Sequence, residues 1–329
     1  MTTPASSTAD NHAWLRRQAR WSPYELAFWL AVLIPFWVFP TYLTLASQIA
    51  ITALFAVSVD LVLGYAGIVT LGHAMFFGLG AYAAGLLTKA GWGEPLSGLV
   101  LSGLLTALVG LLVSFMIVRV QHLALLMITL GLGLLTAELA NSLGWLTGGT
   151  DGLQGVDVWP VFNHFEFDLW GYTAYAYALA ALFVGVAAAR RIVHSSFGLS
   201  LRGVRENLNR MPAIGSPWRR HLQIVYTISA GMAGIAGAVL THTTETVSLD
   251  SLSFQRSADV VVMLILGGTG RLYGAILGAA IFMIARDQLS DMNPQYWYFW
   301  IGLLLMLVVL FMPKGILGGL SGLLRRLGG

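Results

Sequence analysis

Apolar positions in this chain fall in long runs, and polar residues are confined to the gaps between them. The runs cover residues 25–45, 47–64, 68–88, 97–118, 121–141, 169–189, 222–241, 257–269, 272–286 and 297–312. A helix rises about 1.5 Å per residue and the hydrocarbon core of a bilayer is about 30 Å thick, so roughly 20 apolar residues make one crossing. The pattern predicts an all-α fold, a polytopic transmembrane helix bundle of about ten spans. Residues 25–313 form the membrane domain, between an N-terminal segment at 1–24 and a C-terminal segment at 314–329. The first run, Leu26 to Leu45, is too long for the apolar part of a signal peptide and lacks a small-residue cleavage pattern, so it reads as a retained span.

Composition agrees with this pattern. Of 329 residues, 57% are apolar and 10% charged, against about 25% charged in a typical soluble domain. The net charge of +3 is small, so the placement of the charges carries the information. With the N-terminus cytoplasmic, the inside segments hold fifteen of the eighteen Lys and Arg residues, leaving Lys89, Arg256 and Arg286 outside. That bias predicts that both termini and the loop from Arg190 to Arg220 are cytoplasmic, with an even number of spans. Nothing supports nucleic-acid binding. The chain has no Cys, which excludes disulfides, thiolate nucleophiles and Cys-ligated metals.

Two regions interrupt the plain apolar helices. One is Leu63-Gly64-Tyr65-Ala66-Gly67, followed by Leu79-Gly80-Ala81; the other is Leu266-Gly267-Gly268-Thr269-Gly270, followed by Leu277-Gly278-Ala279. The same order, LGxxG and then LGA, recurs in each half. Gly-interrupted segments at matching positions point to unwound helices near the midplane, where backbone groups meet a solute or water. The expected translocation pathway therefore includes Gly64, Gly67, Gly78, Gly80, Gly267, Gly270 and Gly278. The alternative is that these glycines only let helices approach closely.

Catalytic chemistry is missing. A phosphate loop ends in Gly-Lys before Ser or Thr, but the only lysines are Lys89 before Ala90 and Lys314 before Gly315. The HExxH zinc helix and the GxSxG elbow are absent too. The chain reads as a non-enzyme with no cofactor and no metal site of its own, and uphill transport would draw on an ion gradient or a partner protein.

A charge at the bilayer centre costs roughly 2.5–3.5 kcal/mol on insertion scales, so such residues usually face the bundle interior or water. Asp60, Asp259 and His73 are accordingly pathway candidates. Each can instead satisfy the bundle, the carboxylates by pairing between helices or by bonding Ser, Thr or unwound backbone. Glu138, with Asn141, sits at an outer helix end and reads as solvated. The inside loop 190–220 holds a short helix-like stretch, Leu201 to Met211, stopped by Gly215 and Pro217. It is suited to dock on a soluble partner, or else serves as a basic topological anchor near anionic lipid.

The residues Asp60-Leu61-Val62-Leu63-Gly64-Tyr65-Ala66-Gly67 and the run from Thr70 to Tyr82, TLGHAMFFGLGAY, resemble the LGYAG and SLGHAAFFGxGAY signature of LivM-type permease subunits of branched-chain amino acid ABC importers. Gly198 to Gly215 resembles the family's coupling segment, with Arg202-Gly203-Val204-Arg205-Glu206-Asn207 at the place of its RAIREN-like core. Leu264 to Gly278 resembles its MLILGG run, and Pro313-Lys314-Gly315-Ile316 its PKGI ending. Thr70 and Met75 stand where the family usually has Ser and Ala. The resemblance covers most of the chain from about residue 45 onward.

It implies a permease in a bacterial inner membrane, paired with a LivH-type permease, two ATPase subunits that carry ATP and Mg, and a solute-binding protein on the outer face. Coupling to the ATPases would then run through Arg202, Val204, Arg205, Glu206, Asn207 and Leu208, with Gly215 ending the segment. Branched-chain amino acids are the solutes the resemblance implies. An ion-coupled secondary transporter, with Asp60 and Asp259 as coupling carboxylates, and a passive channel are the rival classes.

Overall fold

The computed structural model describes residues 23–319, apart from 121, 163, 169, 209, 214 and 312–314. The N-terminal segment before residue 23, with Arg16, Arg17 and Arg20, lies outside the described residues. So do Pro313, Lys314 and the end of the chain from residue 320. Among the described residues the fold is helical, with only two isolated β-bridges, Leu153 to Val247 and Val161 to Phe165.

Among the described residues, six helices are long and apolar enough to cross a membrane. They are α3 (Leu43–Asp60, continued by a π-helical turn Leu61–Tyr65), α5 (Pro95–Ile117), α6 (His122–Ser142), α8 (Tyr172–Val193), α11 (Trp218–Thr244) and α13 (Leu272–Met292). Shorter elements complete the set: α1 (Pro23–Ala31), α2 (Pro35–Val38), α4 (Ala74–Lys89), α7 (Gly144–Thr147), α9 (Ser196–Glu206), α10 (Arg210–Ala213), α12 (Phe254–Gly267) and α14 (Trp297–Phe311).

The first apolar run is therefore not one continuous helix. Pro35 and Pro40 each lack an N–H and end or restart the helix, so the run breaks into α1, α2, a 3-10 turn Pro40–Tyr42 and the start of α3. Arg190 of α8 pairs with Glu25 of α1, which ties this broken entry segment to the bundle inside a nearly dry contact.

The basic loops meet at one end of the bundle. There Arg205 lies against Gly67 and Gly270, and Gly315 lies against Gly268. At the far end, Trp159 N–H bonds Gly93 O at 2.9 Å, and Leu153 and Val247 exchange two backbone bonds at 2.7 and 2.9 Å. The core between the ends is small-residue packing around α11. At Gly80 any side chain would run into the Gly234 carbonyl, and at Gly237 into that of Phe77. Such contacts bring backbones together where lipid offers no competing hydrophobic force.

Two of the helices begin inside the bundle, each after a non-helical or 3-10 segment. After α3 the chain runs without helix through residues 66–73 and then begins α4 beside Ser229, eleven residues inside α11. In the second half the order inverts. Residues 245–253 descend from the far end past Gly85 and Gly78, and α12 starts beside the start of α4. At the junction Ala74 N–H donates to Ser257 Oγ at 2.9 Å, and the Arg256 guanidinium lies 5.0 Å from the Phe77 ring centroid. Two helices of 16 and 14 residues thus begin at one level in the interior of the bundle.

Candidate functional site

Gly64 is the fourth residue of a five-residue π-helical turn, and Gly67 follows with φ +74°, a backbone conformation that costs an L side chain about 1–2 kcal/mol. Gly270 has φ +77°. These two positions need glycine for backbone reasons. Gly78, Gly80, Gly267 and Gly278 instead need it for space, since a side chain there would run into Leu252, the Gly234 carbonyl, the Gly274 carbonyl and the Met263 carbonyl respectively.

The two broken segments touch. Asp60, fully buried, accepts from the Gly270 N–H at 2.7 Å through Oδ1, and Gly64 leaves no room for a side chain between them. The carboxylate is thus bonded to the backbone of the second broken segment. The contact lies beside Arg205, toward the arginine-rich end of the bundle. The two LGxxG segments are not structural equivalents. The first leads into the eight-residue passage 66–73, the second into a tight turn between α12 and α13. Gly268 at φ +105° and Gly270 make that reversal possible without a passage.

The interior level is held by His73. Ser229 donates to the Ser58 carbonyl, so its oxygen accepts from His73 Nε2–H at 2.8 Å. In a neutral ring this leaves Nδ1 as the unprotonated nitrogen, and Nδ1 is buried without a hydrogen-bond partner. Phe55, Phe76 and Tyr226 surround the ring at centroid distances of 6.3, 5.2 and 5.8 Å. His73 therefore ties α3 to α11 across the start of α4. Glu138 is exposed, four residues before the end of α6.

At the basic end, the expected helix from Leu201 to Met211 is displaced. The observed α9 begins earlier, at Ser196, because Ser195 caps it by accepting the Gly198 N–H at 3.3 Å, and it ends at Glu206 where Asn207 turns extended. Val204 and Leu208 are thus not on one helix. Val204 is 4% exposed and packs into the chain's own core. The outward face carries Leu199, Arg202, Arg205, Glu206 and Asn207, while Gly215 sits in an open turn at φ +74°. Arg205 turns its guanidinium back to donate to Gly64 O, and Arg202 lies 5.5 Å from the Tyr65 ring centroid. A surface helix is in this way fastened to the broken end of α3.

Asp259 stands apart from this contact, on α12 toward the far end. Gln255 Nε2 donates to its Oδ1 at 2.8 Å, and it lines a cavity together with Arg256 and Arg286. Sequence reasoning assigned those arginines only to the outside. Their signal was present: Arg256 and Asp259 are three residues apart, on one helical face at the start of an apolar run.

The model of the family described as branched-chain amino acid transport system / permease component matches residues 41–310. The chain belongs to this family. Similar proteins include the high-affinity branched-chain amino acid transport system permease protein LivM of Escherichia coli strain K12, 27% identical over 309 residues, 88% of this chain and 72% of that protein. LivM of Salmonella typhimurium is 28% identical over 310 residues, with the same coverage. LivH of Escherichia coli strain K12 is 30% identical over 128 residues, 39% of this chain and 41% of that protein. No solved structure matches. The chain is thus a multi-pass membrane permease component of a multi-subunit transport system.

Proposed function

We propose that this chain carries branched-chain amino acids across a bacterial inner membrane as one of two permeases in a binding-protein-dependent ABC importer. A LivH-type permease is its partner in the membrane. Two ATPase subunits, which hold ATP and Mg, sit on the arginine-rich, cytoplasmic end, and a solute-binding protein docks on the far end. Both termini are cytoplasmic.

The observation that carries this reading is the link from α9 to α3. The helix exposes Leu199, Arg202, Glu206 and Asn207, and Arg205 of the same helix turns its guanidinium back to hold the carbonyl of Gly64. A push on α9 by a nucleotide-driven partner would reach Gly64, and through it Asp60 and Gly270, without passing through flexible chain. Resemblance to LivM and LivH supports the solute and the partners.

Uptake of labelled leucine into proteoliposomes holding the full complex tests the reading. It should require internal ATP and external binding protein, and should ignore imposed proton and sodium gradients. Uptake driven by either gradient without ATP would replace the proposal with an ion-coupled transporter.

A further inference from the structure

A cavity of about 340 Å³ lies between the far halves of α3, α12 and α13, within the range of about 300–1,000 Å³ usual for small-molecule sites. Its wall combines two chemistries. Phe55, Met263 and Met283 supply an apolar side, whereas Asp250, Arg256, Asp259, Arg286 and Asp287 place charges of both signs around the same space. Charges between membrane helices are costly unless they pair or meet water or a solute. Here the pairing is incomplete.

Arg256 Nη2 donates to Asp250 Oδ2 at 2.9 Å, but its Nε is buried without a hydrogen-bond partner. Arg286 lies 5.2 Å from the Trp297 ring centroid, a cation–π contact that leaves its N–H groups to other acceptors. On the carboxylate side, Asp259 takes a bond from Gln255, a neutral donor that leaves its charge in place. Helix α12 also begins beside this space and lines it with its second, third and sixth residues.

We propose that this cavity binds a zwitterionic amino acid with an apolar side chain. Arg256 and Arg286 take the carboxylate, Asp259 and Asp287 take the ammonium, and Phe55, Met263 and Met283 receive the side chain. A neutral amide would leave the charges uncompensated, and an organic anion would meet three carboxylates against two guanidiniums. The assignment rests on the permease reading and adds that this chain itself selects the cargo.

The natural absence of Cys makes a direct test available. In the complete importer, with Cys-free partner subunits, Ser290→Cys puts a thiol on the cavity wall. Leucine at about ten times its dissociation constant should slow modification by an impermeant maleimide about tenfold, as occupancy of one site requires. Isocaproate, which lacks the ammonium, and isoamylamine, which lacks the carboxylate, should not protect at that concentration. Adding Asp259→Asn should abolish protection by leucine while the thiol still reacts. Absence of leucine protection, or equal protection by either analogue, overturns the site. Leucine uptake by the same vesicles separates the two failures: uptake without protection overturns this site alone, and loss of all ATP-dependent amino-acid uptake overturns the permease reading beneath it.

Discussion

The guanidinium of Arg205 donates to the main-chain carbonyl of Gly64, so helix α9 and the broken end of α3 are joined by a charge-assisted bond. Such bonds contribute about 1.5–3 kcal/mol. Arg205→Ala should therefore assemble normally but lower solute-stimulated ATP hydrolysis about tenfold, since about 1.4 kcal/mol is a factor of ten. Full stimulation in the reconstituted variant would show that force reaches the bundle elsewhere.

The outward and inward faces of α9 should respond oppositely to the same charge. Leu199 is 42% exposed and Val204 is 4% exposed. Leu199→Asp should leave the permease folded and paired while weakening its capture of the ATPase subunits. Val204→Asp buries an unpaired charge at a cost of several kcal/mol and should reduce the amount of intact permease recovered. Equal recovery of both proteins with equal ATPase binding would contradict the observed orientation of the helix.

Asp60 should tolerate Asn better than Ala. Its Oδ1 accepts the Gly270 N–H at 2.7 Å, and Asn keeps an acceptor there. Ala leaves a buried N–H unsatisfied, at about 1–3 kcal/mol. Thermal unfolding in detergent is expected to rank the wild type, Asp60→Asn and then Asp60→Ala in falling stability; a variant Asp60→Ala as stable as Asp60→Asn would rule out the bond as a structural tie.

Gly67 and Gly270 should be sensitive for a reason that Gly91 lacks. All three have positive φ, but a side chain at Gly91 meets nothing within 4 Å, whereas at Gly67 it meets Arg205 Cγ at 3.0 Å and at Gly270 Arg205 Nη1 at 2.8 Å. Gly67→Leu and Gly270→Leu should abolish uptake in assembled complexes, and Gly91→Ala should lose no more than the roughly 1–2 kcal/mol of backbone strain. Normal uptake by both leucine variants would reduce these segments to passive packing.

Orientation is open to the same thiol chemistry. In intact cells Ser196→Cys, exposed on α9, should resist an impermeant maleimide, and Gln154→Cys, exposed in the loop before α8, should react. Labelling at Ser196→Cys from outside would invert the topology.

Much of this protein was legible in its residues taken in order. The apolar runs, the polar gaps and the bias of Arg toward alternate loops each depend on a residue and its close neighbours, and they suffice for a helical membrane bundle. So do the glycines at Gly64, Gly67 and Gly270, and the motifs that carry the family resemblance. What the order of residues could not decide was who meets whom. Asp60 finds its partner 210 positions away, at Gly270, and Ala74 finds Ser257 where two helices begin. Val204 turns inward because Ser195, not Leu201, sets the start of α9. Arg256, Asp259 and Arg286 become one wall only when α12 and α13 pack together. Hydrophobicity commits a segment to the bilayer, where any packing of helices buries it equally well; the choice among packings is made by backbone approach, unpaired N–H groups and charges that tolerate only one arrangement, and those constraints exist only in the assembled fold.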